Sequence, residues 1–316
     1  MTPLKIIFAG SGAFGVPTLA ALRDSGHQLV QIVSQPDRPA GRGRRLTPTP
    51  VSQFALDHGL PLIRTERIAD EVLSPADVMV VIAFGQKIPD SHVHHPRFGS
   101  VNLHASRLPR YRGAAPINHA VIEGETVTGN SVIRLAQKMD AGAILAQSVL
   151  PIADGDTAGE LHDRLAADGP GLVLPVLEQL ARASARETPQ DESMATLAPK
   201  LSREVARLDW TGPAGSLSRR INGLSPWPGC RVALLDAAGR EVTRLTLLRA
   251  RPAMSGETYS RWSPGEITLY GPVRAGTPLD AVEILTLQPE SKRPMSLDDF
   301  RRGHPWSPGM RLRSIT

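Results

Sequence analysis

The sequence predicts an α/β fold with a mostly parallel sheet over the first two thirds of the chain, followed by a small β-rich domain. Three observations carry this. Strand-like and helix-like segments alternate from residue 5 to residue 103. Residues 77–84 (DVMVVIAF) form a continuous apolar run, as expected of a strand covered on both faces. After Trp210 the texture changes to short strand-like runs between Gly and Pro turns.

Taken in order, residues 5–9 read as a short strand ending in glycines, and 17–23 carry helical apolar spacing. Residues 29–34 are a second strand, 51–58 a helix and 62–64 a short third strand. Residues 100–103 follow the 77–84 run as another strand. Residues 159–179 read as a helix interrupted at 169–171, where Gly-Pro-Gly falls. The polar stretch 183–200, with Pro189 and Pro199, reads as a linker or covering segment. Residues 231–235, 241–248, 265–269 and 281–288 are the strands of a C-terminal barrel or sandwich. The expected division is 1–204 and 205–316, which suits a chain of 316 residues.

Composition narrows the function classes. Hydrophobic residues at 41% and charged residues at 21% are ordinary for a soluble globular protein. Cys230 is the one cysteine, which excludes an intramolecular disulfide and a cysteine-based zinc cluster; it reads as a reduced, buried thiol. No secretory signal and no apolar run of membrane-spanning length is evident, so a cytoplasmic location is expected. Residues 205–316 hold 16 basic and 10 acidic side chains, a balance of +6, whereas 1–204 hold 20 and 21, a balance of −1. A basic domain beside a near-neutral one points to a polyanion such as nucleic acid, or to an Arg-rich composition and nothing more.

Gly10-Ser11-Gly12-Ala13-Phe14-Gly15 follows a strand and opens a helix, matching the dinucleotide fingerprint G-x-G-x-x-G. The acid that should bind a ribose is not well placed, because Asp37 falls between Pro36 and Pro39, three residues past strand two. A tight turn beside a different ligand is the better reading. Residues 35–51 (QPDRPAGRGRRLTPTPV) form a long loop with Arg38, Arg42, Arg44 and Arg45, able to grip phosphates or simply to be solvated.

The strongest constellation is NLHASRLPRYRGAAPIN, residues 102–118. Asn102 and His104 stand two apart in an extended segment and share a face. An amide donor beside an imidazole suits chemistry at a carbonyl: the amide can hold an oxyanion and the imidazole can move protons. Asp140, in KMDAG, reads either as a turn cap or as the partner that orients His104. His92, His94 and His95 lack a spaced partner and read as a surface loop, not a metal site; His119, His162 and His304 read as surface or packing residues.

These residues carry a resemblance. The chain resembles the folate-dependent formyltransferases, and among them those acting on methionyl-tRNA, over essentially its whole length. The likeness rests on IIFAG…FGVPTL, QPDRPAGRG, NLHASRLPRYRGAAPIN, TGNSVIRLAQKMDAGAIL and INGLSPWPG. It implies a Rossmann-like catalytic domain and an OB-type C-terminal barrel that holds tRNA. It implies Asn102, His104 and Asp140 as the catalytic trio. It also implies a folate site lined by Ser106, Arg107, Leu108 and Pro109, and an arginine loop (Arg38, Arg42, Arg44, Arg45) reaching the acceptor end, Arg42 foremost. Arg107 stands where the family usually has Leu, and Asp-Ala-Gly at 140–142 where it usually has Asp-Thr-Gly. The implied reaction moves the formyl group of 10-formyltetrahydrofolate to initiator methionyl-tRNA in a monomer, without metal. A formyltransferase for another amine, such as a nucleotide-sugar amine, a nicotinamide oxidoreductase and a non-catalytic RNA binder are the alternatives.

Overall fold

The computed structural model describes residues 3–40, 43–253, 258–259, 261–269, 271–277 and 279–315. In chain order, β1 (Lys5–Gly10) leads to α1 (Val16–Asp24) and β2 (Gln28–Ser34). A hairpin follows, of β3 (Arg38–Ala40) and β4 (Arg45–Thr47), then α2 (Pro50–Asp57) and β5 (Leu62–Arg64). Thr49 caps α2 by accepting from the Ser52 N–H at 3.1 Å, and Pro50 occupies the first helical position. β6 (Val78–Ile82), the short helix α3 (Asp90–Val93) and β7 (Ser100–His104) complete the first half. Next come α4 (Pro116–Glu123), β8 (Val127–Thr128), β9 (Ser131–Arg134), β10 (Ile144–Gln147), β11 (Leu150–Pro151) and the long α5 (Ala158–Ala181).

Seven of these strands make one sheet in the order β10-β9-β7-β6-β1-β2-β5. The pairs β1–β2, β1–β6, β2–β5 and β6–β7 are parallel, and only β9 runs against its neighbours. The mostly parallel sheet expected from the alternating pattern is therefore present. All five residues of β6 are buried, which explains why its sequence shows no alternation. The carboxyl ends of β1, β2, β6 and β7 lie on one edge of the sheet, where α/β folds present their ligand sites.

Two expectations are corrected. α5 is a single helix through Gly169, Pro170 and Gly171, with Pro175 also inside it. A Cβ at Gly169 would stand 2.7 Å from Leu103 Cδ2 and 2.9 Å from Thr18 Oγ1, so the glycine lets the helix lie close to β7 and α1. Pro170 supplies no N–H to the Ala166 carbonyl, and one residue earlier Asn130 Nδ2 donates to the Leu165 carbonyl at 2.8 Å, fixing this turn of the helix from outside. Residues 265–269 are not a regular strand: Ile267 bridges to Val273, and Glu266 to Arg311.

That second departure closes the C-terminal sheet. Helix α6 (Ala214–Gly223) precedes β12 (Cys230–Leu235), β13 (Glu241–Pro252), β14 (Val273–Arg274), β15 (Ala281–Pro289) and β16 (Met295–Ser296). Helix α7 (Leu297–Arg301) and β17 (Arg311–Ser314) end the chain. The antiparallel order β14-β15-β13-β12-β17 is joined end to end through 265–267, in the manner of an OB-type barrel. Trp210, Leu217, Ile221, Val232, Leu247, Ile284, Phe300 and Leu312 fill its core together with Cys230, whose thiol burial pushes up to about 12. The chain packs as two compact units, one of 1–113, 127–150 and 162–198, the other of 114–126, 151–161 and 199–316. Among the described residues no helix is long and apolar enough to cross a membrane.

Asn222 ties α6 to the barrel. It is buried; its Nδ2 donates to the Ala250 carbonyl at 3.0 Å and its Oδ1 accepts from the Ala250 N–H at 2.9 Å. These bonds serve β13 where its register with β15 shifts and ladder pairing lapses. Asn222→Leu should destabilise the fold by about 1–3 kcal/mol, because it strands two buried backbone groups. Chemical denaturation of the purified variant against the parent measures this.

Candidate active site

β7 carries Asn102 and His104 out to the sheet edge. Val101 and Leu103 alternate with them and are buried, so the two polar residues share the opposite face. Among the described residues the Asn102 amide makes no hydrogen bond, while its backbone pairs with β6 and β9. An amide fixed by a central strand, with its side-chain donors uncommitted, is pre-organised to meet an oxygen that gains charge.

His104 is held on both sides. Its Nε2 lies 2.9 Å from the Tyr111 carbonyl, so Nε2 carries a proton. Its Nδ1 lies 3.6 Å from Asp140 Oδ2, and the two side chains are 7% and 14% exposed. Asp140 Oδ2 in turn accepts from the Gly113 N–H at 2.9 Å. The imidazole faces two acceptors, so a second proton arriving at Nδ1 meets a carboxylate. Asp140 itself sits at φ 52°, in the left-handed region, at the start of a tight turn. A Cβ at Gly142 would stand 1.8 Å from the Arg134 carbonyl, so only glycine lets this turn close on β9.

The segment after β7 folds on itself. Ser106 is fully buried and its Oγ donates to the Arg110 carbonyl at 2.7 Å. Ser131 Oγ donates to the Ser106 carbonyl at 2.6 Å and accepts from the Leu108 N–H at 3.1 Å; Gln147 Nε2 donates to the Leu108 carbonyl at 2.8 Å. Of the four residues expected to line a folate, Ser106 and Leu108 thus turn inward, while Arg107 is exposed and Pro109 half-buried.

The glycine turn is spent internally. The Ser11 and Gly12 N–H groups both donate to the Ala83 carbonyl at 3.3 Å, and Ser11 Oγ donates to the Phe84 carbonyl at 3.1 Å. A Cβ at Gly10 would meet Phe8 Cε1 at 2.7 Å, so this glycine serves the packing of the strand. Asp37 is occupied by Arg64, at 2.8 Å. The fingerprint therefore reflects close packing rather than an open cradle for a pyrophosphate.

Arg38, Arg44 and Arg45 are exposed on the β3–β4 hairpin and make no ion pair among the described residues; Arg42 lies outside them. The hairpin leaves the carboxyl end of β2, three strands from β7 on the same edge, or about 14 Å at ordinary strand spacing. His92 and His95 do not gather for a metal: His92 Nε2 meets the Glu71 carbonyl at 3.1 Å and His95 Nε2 the Ser74 carbonyl at 3.0 Å. No group of His, Cys, Asp and Glu among the described residues could hold a metal ion. Sequence reasoning missed the backbone of Tyr111–Gly113, whose carbonyl and N–H meet His104 and Asp140.

The "Formyl transferase" family profile matches residues 4–177, and the "Formyl transferase, C-terminal domain" profile matches 200–305. A methionyl-tRNA formyltransferase from Methylococcus capsulatus is 42% identical over 311 residues, covering 95% of this chain and 97% of its own. Among solved structures, an N-formyltransferase from Helicobacter canadensis, in complex with folinic acid and dTDP-3-aminofucose, has a TM-score of 0.65. It is 14% identical, and the alignment covers 89% of this chain and 98% of that one. HypX from Aquifex aeolicus, in complex with tetrahydrofolic acid, has a TM-score of 0.61 at 19% identity over 96% of this chain, which spans only 48% of that protein. At these identities the structural likeness is one of fold.

Gly142→Ala should cost about 1–3 kcal/mol, the usual penalty for forcing an atom into filled space. The turn that carries Asp140 would have to move off Arg134. A fall in Tm with native far-ultraviolet circular dichroism at low temperature is the expected result.

Proposed function

The chain belongs to the formyl transferase family, and from that premise we propose that it transfers the formyl group of 10-formyltetrahydrofolate to the α-amino group of initiator methionyl-tRNA. The product is N-formylmethionyl-tRNA, for translation initiation. The observation that carries this reading is the likeness to a methionyl-tRNA formyltransferase along nearly the full length of both proteins. The basic C-terminal barrel and the exposed Arg38, Arg44 and Arg45, which make no ion pair among the described residues, favour a tRNA over a nucleotide sugar. A monomer working in the cytoplasm fits this role.

The methionyl amine attacks the formyl carbon. A C–N bond forms, the carbonyl oxygen gains charge, and the bond from carbon to the folate nitrogen then breaks. Asn102 donates to the developing oxyanion from a fixed strand position. His104 takes the proton leaving the amine and passes it to the departing folate nitrogen, so the proton count balances. Asp140 faces the ring nitrogen that receives it and offsets its charge. Ser106, Arg107, Leu108 and Pro109 form the wall toward the folate; the inward hydrogen bonds of Ser106 and Leu108 make that wall rigid, and Arg107 and Pro109 supply its surface. Arg38, Arg42, Arg44 and Arg45 meet the phosphates near the acceptor end of the tRNA.

Incubation with 10-formyltetrahydrofolate and charged initiator tRNA should yield formylmethionine; no product with an active preparation of both substrates would sink the reading. In the same assay Asn102→Ala and His104→Ala should each lower turnover at least about 100-fold, and Asp140→Asn should be folded and poorly active.

Binding of tRNA should weaken steeply with salt, as counterion release requires, while folate binding changes little. Replacing Arg38, Arg44 and Arg45 together by Ala should flatten the salt dependence by about 2–3 in log–log slope, since each lost phosphate contact contributes close to one. Fluorescence titration at several salt concentrations reads both, and an unchanged slope would mean the hairpin is merely solvated.

A further inference from the structure

We propose that Gln190, itself held by Arg112, is a positioning residue that sets Asp140 against His104. The proposal rests on the reading of His104 and Asp140 as the reacting pair.

The stretch 183–200 covers this site rather than linking past it. Thr188 pairs with Ile144 of β10 in an isolated bridge. Two residues on, Gln190 Nε2 donates to two carbonyls of the tight turn, Asp140 at 2.7 Å and Gly142 at 2.8 Å. One amide nitrogen thus spans the turn from which the Asp140 side chain projects. Such a turn, with a non-glycine residue at positive φ, holds its shape only when the surroundings over-determine it.

The other end of the Gln190 amide is fixed as firmly. Its Oε1 accepts from Arg112 Nη2 at 2.7 Å and Nε at 3.1 Å. Arg112 is 4% exposed, and its two terminal nitrogens fork onto the Glu192 carboxylate at 2.8 and 3.1 Å. Arg112 and Lys138 hold the Glu192 carboxyl down at about 2, so this partner is charged at every working pH. The amide orientation of Gln190 follows from chemistry: guanidinium only donates, so oxygen must face Arg112 and nitrogen must face the turn.

Arg112 also closes the loop back to the imidazole. Its N–H donates to the Thr196 carbonyl at 2.9 Å, and its carbonyl accepts from the Ala198 N–H at 2.7 Å. Its neighbours are Tyr111, whose carbonyl meets His104, and Gly113, whose N–H meets the Asp140 carboxylate. Arg112 therefore sits between the two backbone groups that touch the pair, and Gln190 conveys that reference to the turn. None of Gln190, Arg112 or Glu192 is assigned a step in the formyl transfer; their part is geometry.

The test uses the full-length protein. Gln190→Met keeps length and removes both polar ends. Gln190→Glu keeps the acceptor for Arg112 and sets an oxygen against the two turn carbonyls. Each is made alone and combined with Asp140→Asn, and formyl transfer is measured at saturating and at limiting concentrations of each substrate. Each single variant should lower kcat about 10- to 100-fold with both KM values little changed, as a displaced reacting group does. In the Asp140→Asn background the same changes should lower kcat no more than about threefold, because the positioned carboxylate is already gone. Parent-like kcat in both Gln190 variants overturns the proposal, and so does a loss that multiplies fully with Asp140→Asn. Failure of both variants to fold overturns it too, since Gln190 would then be a stability residue. A parent-like Asp140→Asn overturns the underlying reading as well; a poorly active Asp140→Asn beside fully active Gln190 variants overturns the positioning role alone.

Discussion

The Tyr111 carbonyl and the Gly113 N–H come from one three-residue stretch of backbone, and each meets a different member of the candidate site, His104 and Asp140, at 2.9 Å. An imidazole on a strand and a carboxylate on a turn are thereby referred to a common ruler. Neither element could do this alone. β7 ends at His104, and the turn at Asp140 is joined to it only through β9. The short stretch between Arg110 and Gly113 must therefore keep its place. It does so by pairing with Thr196 and Ala198 on one side and by burying the Arg112 side chain on the other.

Much of this was legible in the sequence where a single local pattern decides the outcome. The uniform apolar run of β6, the two-residue spacing of Asn102 and His104, and the switch to short strands after Trp210 each have one physical meaning. Elements that depend on distant partners were harder to read. Gly-Pro-Gly at 169–171 reads as a break, yet the helix runs on, with Gly169 set where a Cβ would meet Leu103 and Thr18. Helix α4, at eight residues, is too short for its apolar spacing to stand out, although Pro116 opens it and Gly124, at φ 80°, closes it. Nothing near Gln190 announces that its amide spans a turn 50 residues earlier.

The first glycine turn shows how one pattern can serve two purposes. Gly10, Gly12 and Gly15 stand at the spacing that elsewhere admits a pyrophosphate. Here the N–H groups of Ser11 and Gly12 are consumed by Ala83, and Gly15 packs on Phe8 and Ile82. The spacing measures how closely backbone must approach, and a side chain can be what approaches as well as a ligand. The deciding information is in Phe8 and in the loop after β6, outside the motif.

The closed C-terminal barrel has a further consequence. Between β17 and β14 the segment 265–267 supplies bridging rungs, so among the described residues neither of these two strands is left as an open edge for an incoming peptide to extend. Under the proposed function this domain would meet its tRNA through side chains and turns. Exchange of surface arginines would then change affinity while the hydrogen-bonded wall beneath stays untouched, a separation that would let such a surface be retuned without refolding the module that bears it.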